Sequence, residues 1–255
     1  VQMPQVVLPH TVTPVQMLRA LRAEPGLVAL VGDWHHGDAL IGFDPLRRLG
    51  PDEDPFTALG SRGRPAPQGP GEEPGEEPGG AFGGGWIGYL GYQLARGLEV
   101  LPPAPPRPAR LPDHHLAYYD HVLRRRAAAG DWVLEWLPGT DPARVAAAEE
   151  VVREALAAPH DPVPYRCGPF TADASRDEHA AAVARTLGHI RDGDVFQANI
   201  CRSLGAGFEG DPLDLFCAGV QALAPRFAAF LRVPGGAVAS LSPELFLRRT
   251  GESVL

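Results

Sequence analysis

Two stretches of this chain constrain most what it can fold into: one reads as a flexible loop with almost nothing to bury, and the other can be neither helix nor central strand. Residues 60–85, GSRGRPAPQGPGEEPGEEPGGAFGGG, are mostly glycine, proline and glutamate with almost nothing to bury, the composition of a flexible loop. Residues 101–112, LPPAPPRPARLP, carry prolines too densely for a helical or sheet ladder. The whole chain has 255 residues, enough for one large domain or two modest ones without a disulfide or metal staple.

The remaining intervals mix strand and helix signals. Residues 26–41, GLVALVGDWHHGDALI, give two β-rich runs around a polar turn, which predicts a hairpin. HLAYYDHVLRRR and DWVLEWL are further strand candidates. A helix is predicted over about 142–158, with Asp141 as N-cap, Pro142 at the first helical position and Val145, Ala148, Val152 and Ala155 on one face. Ser175 and Glu178 form an S-x-x-E capping box before a second helix whose face is Val183, Leu187 and Ile190, ended by Gly193. A third helix starts at Asp211-Pro212 and carries Leu213, Phe216, Val220 and Leu223. After it, RFAAFLRVPGGAVASLSPELFLRR reads as strand, Pro-Gly-Gly turn, strand, and a further strand from Glu244. The pattern is α+β, with antiparallel sheets and flanking helices.

Composition excludes several functions. The net charge of −8 lacks the basic footprint that a nucleic-acid partner needs. No run of 18 apolar residues and no basic-then-apolar leader occurs, so the expectation is a cytoplasmic protein with no membrane partner. Cys167, Cys201 and Cys217 are odd in number and widely spaced, which predicts reduced core thiols. Gly83 to Gly88 match G-x-G-x-x-G literally, but a loop precedes them and an apolar strand continues through Tyr89 to Tyr92, the wrong context for a dinucleotide site. His35-His36, His114-His115 and His121 lack metal-ligand spacing and are expected in surface turns. All 23 basic residues are arginine, so amine chemistry by lysine is not available from these residues.

Residues 192–204, DGDVFQANICRSL, alternate as a strand, with Phe196, Ala198 and Ile200 on one side and Gln197, Asn199 and Cys201 on the other. A buried amide must be hydrogen-bonded, so Gln197 and Asn199 are either core network-formers or ligand-facing groups. Glu244 is either a solvated strand end or a carboxyl held at the mouth of a sheet for proton transfer.

SRDEHAAAVARTLGHIRDGDVFQANICRSL, then PRFAAFLRV, then SLSPELFLRR resemble, in order and spacing, the first part of the chorismate-binding domain of aminodeoxychorismate synthase and anthranilate synthase component I. GGGWIGYLGYQLAR resembles their glycine-aromatic amino-terminal segment. The resemblance implies the chorismate-binding fold, incomplete at the carboxy terminus, with residues 1–165 as the amino-terminal region and 166–255 as the first part of the catalytic domain. Isochorismate and salicylate synthases resemble one another in placing a lysine, taken to activate water, where this chain has Gln197. A neutral amide cannot act as a general base, which points to the ammonia-using branch. Ala198-Asn199-Ile200 resembles the aminodeoxychorismate pattern more than the anthranilate one.

The implied activity is amination of chorismate to 4-amino-4-deoxychorismate, toward 4-aminobenzoate and folate, with ammonia from a separate glutamine amidotransferase subunit. The alternatives are anthranilate synthase component I and a non-catalytic remnant. In this resemblance Glu244 is the general acid/base at the departing hydroxyl. The nucleophilic lysine and the glutamates that bind Mg2+ are implied beyond residue 255, so the expectation is no metal ligand in this chain. Asp33, Arg226, Phe227 and Ala228 match positions of an amino-acid (tryptophan) pocket in some relatives, with Asp33 and Arg226 departing from the usual residues.

Overall fold

The computed structural model describes residues 3–8, 11–34, 39–62, 81–103, 111–250 and 253–255. The predicted turn at 35–38, with His35 and His36, most of the loop at 60–85 and the proline run at 104–110 lie outside the described residues. The first strands are β1 (Gln5–Leu8), β2 (Val28–Gly32), β3 (Ala39–Gly42) and β4 (Arg47–Arg48), with helices α1 (Pro14–Ala20) and α2 (Pro55–Arg62). Next come β5 (Gly85–Leu90), a 3-10 helix (Tyr92–Gly97), β6 (His114–Tyr119), β7 (His121–Arg125), β8 (Trp132–Trp136) and α3 (Pro142–Ala157). The chain continues through β9 (Arg166–Cys167), β10 (Thr171–Ala172), α4 (Arg176–Asp192), β11 (Leu204–Gly205) and β12 (Phe208–Glu209). It closes with α5 (Pro212–Leu223), β13 (Phe227–Val233), β14 (Gly236–Ser242), β15 (Arg249–Thr250) and β16 (Ser253–Val254).

These elements form two compact units, one of residues 1–162 with 212–255 and one of residues 163–211. The first unit is built on a seven-stranded sheet in the order β1-β8-β7-β3-β2-β13-β14, antiparallel at every pairing. Strand alternation sorts its residues onto two faces. Ala29, Val31, Ile41, Leu123, Leu134 and Phe230 pack against α1, α3 and α5 through Leu18, Val152 and Phe216. Val28, Leu40, Val122 and Leu231 face Ile87, Ala117 and Tyr119 of a three-stranded sheet, β4-β6-β5. The outer side of that small sheet is covered by Ala58 and Leu59 of α2.

The predicted strand through HLAYYDHVLRRR is two strands in two sheets, because the chain bends at Asp120 between β6 and β7. The Asp120 carboxylate accepts from Arg144 Nε at 2.8 Å and bonds His121 Nδ1 at 2.9 Å. Burial pushes this carboxyl up, but the bonds from Arg144 and His121 outweigh it and hold the group below the usual aspartate range. The surface-turn expectation for the histidines is therefore corrected: His114 and His121 are buried. Sequence spacing cannot show that Gly50 O lies 3.1 Å from His114 Nε2, or that a carboxylate partners His121. The glycine run is likewise explained by packing, since a Cβ on Gly88 would lie 1.8 Å from His115 O. Only glycine lets β5 approach β6 this closely.

A buried ion pair ties the loop-side end of β5 to the large sheet. Glu135 on β8 is fully buried; its Oε1 accepts from Arg124 Nε at 2.7 Å, and its Oε2 accepts the N–H groups of Phe82 at 2.8 Å and Gly83 at 3.3 Å. Buried Asp214 on α5 accepts from Arg19 Nε and Arg22 Nη1, both at 3.0 Å, which fastens α5 to α1.

In the second unit, two short ladders join β9 to β12 and β10 to β11. α4 begins with the predicted capping box, the Ser175 side chain accepting from Glu178 N at 3.2 Å, and ends at Gly193 with φ 83°. Its apolar face, Val183, Leu187 and Ile190, is exposed. The expectation of three core thiols is corrected too: Cys217 is buried, whereas Cys167 and Cys201 are exposed.

Candidate functional site

Glu244 sits just after β14, where Pro243 cannot donate to a ladder and ends the strand. The predicted further strand from Glu244 is instead an irregular segment to Arg248, followed by the two-residue strand β15. Ser242 fixes its start: Ser242 Oγ accepts the Glu244 N–H at 3.3 Å and donates to Glu244 O at 3.0 Å. The Glu244 side chain is exposed, and so are Phe246 and Leu247, the former at 98%. At the far end, Arg248 N donates to Leu255 O at 3.0 Å and Leu255 N to Arg248 O at 2.8 Å. The Arg248 guanidinium reaches back to the turn after β2, where Nη2 donates to Asp33 O at 2.6 Å and to Trp34 O at 3.2 Å.

That same turn collects the residues matched to an amino-acid pocket. Arg226 donates from Nε at 3.0 Å and Nη2 at 2.9 Å to Asp33 Oδ2, and Asp33 N donates to Arg226 O at 2.7 Å. Gly32 makes this approach possible, since it has φ 110° and a Cβ there would lie 2.1 Å from Arg226 O. Trp34 Nε1 donates to Ala228 O at 2.9 Å, and the Trp34 ring meets Phe227 edge to face at 5.6 Å. Phe227 and Ala228 are buried, and the Arg226 guanidinium lies 5.4 Å above the Phe227 ring. The two charged side chains that depart from the pocket pattern, Asp33 and Arg226, are paired with each other. The pair is exposed, where such a bridge contributes about 0–1 kcal/mol.

Gln197 and Asn199 belong to the second unit, and both are exposed. The stretch from Val195 to Ser203 alternates like a strand in sequence but is irregular in structure. A strand exists only through a neighbour that completes its hydrogen bonds, and among the described residues no strand pairs with this stretch. Phe196, fully exposed at 104%, has no sheet face to lie on. The stretch is held at its two ends. His189 Nδ1 and Asp194 Oδ2 are 2.8 Å apart, while Ser203 N donates to Asp173 Oδ2 at 3.1 Å and Asp173 N to Ser203 O at 3.0 Å.

Among the described residues no group of three or more histidine, cysteine, aspartate or glutamate side chains could hold a metal ion. No described helix is long and apolar enough to cross a membrane. Sequence reasoning missed Arg248 and Ser242. The serine carried a usable signal, because Ser-Pro at a strand end favours a turn; the arginine carried none, because its partners are backbone carbonyls.

The family described as chorismate binding enzyme matches residues 52–255. The chain belongs to this family. Curated relatives in it carry two kinds of name. Anthranilate synthase component 1 1 of Haloarcula marismortui is 32% identical over 186 residues, 67% of this chain and 38% of that protein. Aminodeoxychorismate synthase component 1 of Klebsiella aerogenes is 31% identical over 175 residues, 65% of this chain and 35% of that protein. The chain therefore spans little more than a third of the length of either. The solved structure of anthranilate synthase component I from Streptococcus pneumoniae shares the fold, with a TM-score of 0.60 at 17% identity over 97% of this chain and 59% of that one. The antiparallel sheets and flanking helices of the α+β expectation are those of a chorismate-binding enzyme.

Proposed function

We propose that this chain is part of an aminodeoxychorismate synthase component I, which aminates chorismate to 4-amino-4-deoxychorismate with ammonia from a glutamine amidotransferase subunit. Within the family, the observation that carries this reading is the Gln197-Ala198-Asn199-Ile200 sequence. The neutral amide of Gln197 cannot activate water as a base, so ammonia is the nucleophile that the substrate receives. Asn199 in the following apolar-Asn-apolar pattern favours the aminodeoxychorismate product over anthranilate.

Glu244 is the proton donor in this reading. Its carboxylic acid gives a proton to the ring hydroxyl, which leaves as water, and the carboxylate then takes up a proton released when nitrogen adds. Its exposure, on a segment held at both ends, leaves the carboxyl free to meet a substrate. Gln197 and Asn199 orient substrate through their amides. The amine nucleophile implied by the resemblance is not supplied by these residues, which contain no lysine. Mg2+, the cofactor implied for the family, finds no set of ligands among the described residues. We place the functional boundary at about residue 165. It cuts across the packing, since β13 and β14 complete the sheet of the first unit and the Glu244 segment belongs to that same unit.

The anthranilate reading is favoured by the name of the Haloarcula relative. The test is to incubate the natural protein with chorismate and ammonia and separate the products. Accumulation of 4-amino-4-deoxychorismate, converted to 4-aminobenzoate by an added lyase, supports the proposal, while fluorescent anthranilate overturns it in favour of the second reading. No product from the natural protein leaves a non-catalytic remnant. Gln197→Ala is expected to lower turnover, and unchanged kinetics with lowered stability would assign Gln197 to structure instead.

A further inference from the structure

We infer that Arg248 is a positioning residue for Glu244, acting through the backbone of the turn after β2; this rests on the proposed role of Glu244. The segment from Pro243 to Arg248 leaves the sheet with two of its three large apolar side chains, Phe246 and Leu247, exposed, while Leu245 is half-buried. Side-chain burial therefore fixes it only in part, and the bonds at its two ends set the rest of its course. Ser242 holds one end, but only locally, through two bonds to the Glu244 backbone. Arg248 holds the other end to a distant part of the molecule. Its guanidinium donates to the carbonyls of two successive residues, Asp33 and Trp34.

Those carbonyls are rigid acceptors. Asp33 is bound through its amide and its carboxylate to Arg226, and the Trp34 indole is bound to the Ala228 carbonyl inside the core. A planar guanidinium with several fixed donors can satisfy two adjacent carbonyls in one orientation, which a lysine ammonium does less specifically. Arg248 thus transfers the rigidity of the β2–β13 pairing to the segment that carries the acid. A catalytic carboxyl has to be held within about 0.5 Å of its productive position, and a misplacement of about 1 Å costs roughly a hundredfold in rate.

The test uses the natural protein with chorismate and ammonia and compares Glu244→Gln, Arg248→Met, Arg248→Lys and the double variant Glu244→Gln/Arg248→Met. Arg248→Met is expected to lower kcat by about 10- to 100-fold with little change in KM and no loss of melting temperature, and Arg248→Lys to recover only part of it. The double variant is expected to be no slower than Glu244→Gln, because a residue that acts only through Glu244 has nothing left to position. Amide exchange of residues 243–248 should quicken in Arg248→Met. Unchanged kcat, unchanged exchange, or losses that multiply in the double variant each overturn the inference. Full turnover by Glu244→Gln overturns the proposed role of Glu244 and this inference with it. An inactive Glu244→Gln beside a fully active Arg248→Met overturns the inference alone.

Discussion

Removing the Glu135 carboxylate should be among the most damaging single changes to the first unit. Glu135 is fully buried, and it is the acceptor for Arg124, which is 4% exposed, and for two backbone N–H groups. Glu135→Ala leaves a buried guanidinium unpaired, which costs about 3–5 kcal/mol. It also orphans the Phe82 and Gly83 amides, at about 1–3 kcal/mol each if water cannot reach them. Phe82 is only partly buried, so the net expectation is about 4–6 kcal/mol, comparable with the whole stability of many domains. Arg124→Met/Glu135→Ala removes the unpaired charge and leaves only the orphaned amides, so it should recover at least about 2 kcal/mol of the loss. Urea unfolding followed by tryptophan fluorescence reads the first unit, because Trp34, Trp86, Trp132 and Trp136 all lie outside residues 163–211. A Glu135→Ala loss within about 1 kcal/mol of zero, the range of an exposed pair, would refute the buried-pair account. So would a double variant no more stable than the single one.

Two further changes test charge and capping. Burial, with Arg48 and His114 adding to it, holds the His115 pKa below its usual value. The unfolded chain therefore takes up a proton at about pH 6.5 that the folded chain still refuses, and stability falls as pH drops from there through the lowered folded value. His115→Phe should flatten that fall between pH 7 and 5, and urea midpoints that decline with the original slope would dismiss it. Ser175→Ala removes the acceptor for the Glu178 amide and should weaken the first turn of α4 by about 1 kcal/mol. Exchange of the amides at 176–180 should quicken, and unchanged rates would show that the cap contributes nothing.

What the sequence made legible was local. α3 and α4 start where Asp141 and Ser175 were expected to cap them, and the β2–β3 and β13–β14 hairpins were visible from turn residues between apolar runs. Residues 195–203 have the alternation of a strand without being one, because alternation describes two faces and says nothing about a hydrogen-bonding neighbour. Nothing in DWVLEWL marks Glu135 as buried, since its partner Arg124 and the Phe82 amide come from elsewhere in the chain. Glu244 and Asp33 were singled out from motif order alone. The bonds from Arg248 that join them depend on carbonyl groups, which every residue has and no motif records.

The pairing of β2 with β13 also constrains how the chain is made. Asp33 and Arg226 stand 193 residues apart, and the compact unit of residues 163–211 is translated between them. At roughly 5–20 residues per second, about 10–40 s pass before β13 can emerge. Throughout that time one side of β2 is an open strand edge lined with Val28, Ala29, Leu30 and Val31, able to pair with a neighbouring nascent chain. The second unit adds roughly a quarter of that wait, so slow codons or insertions within residues 163–211 would lengthen it and reduce soluble yield without altering a single contact of the finished first unit.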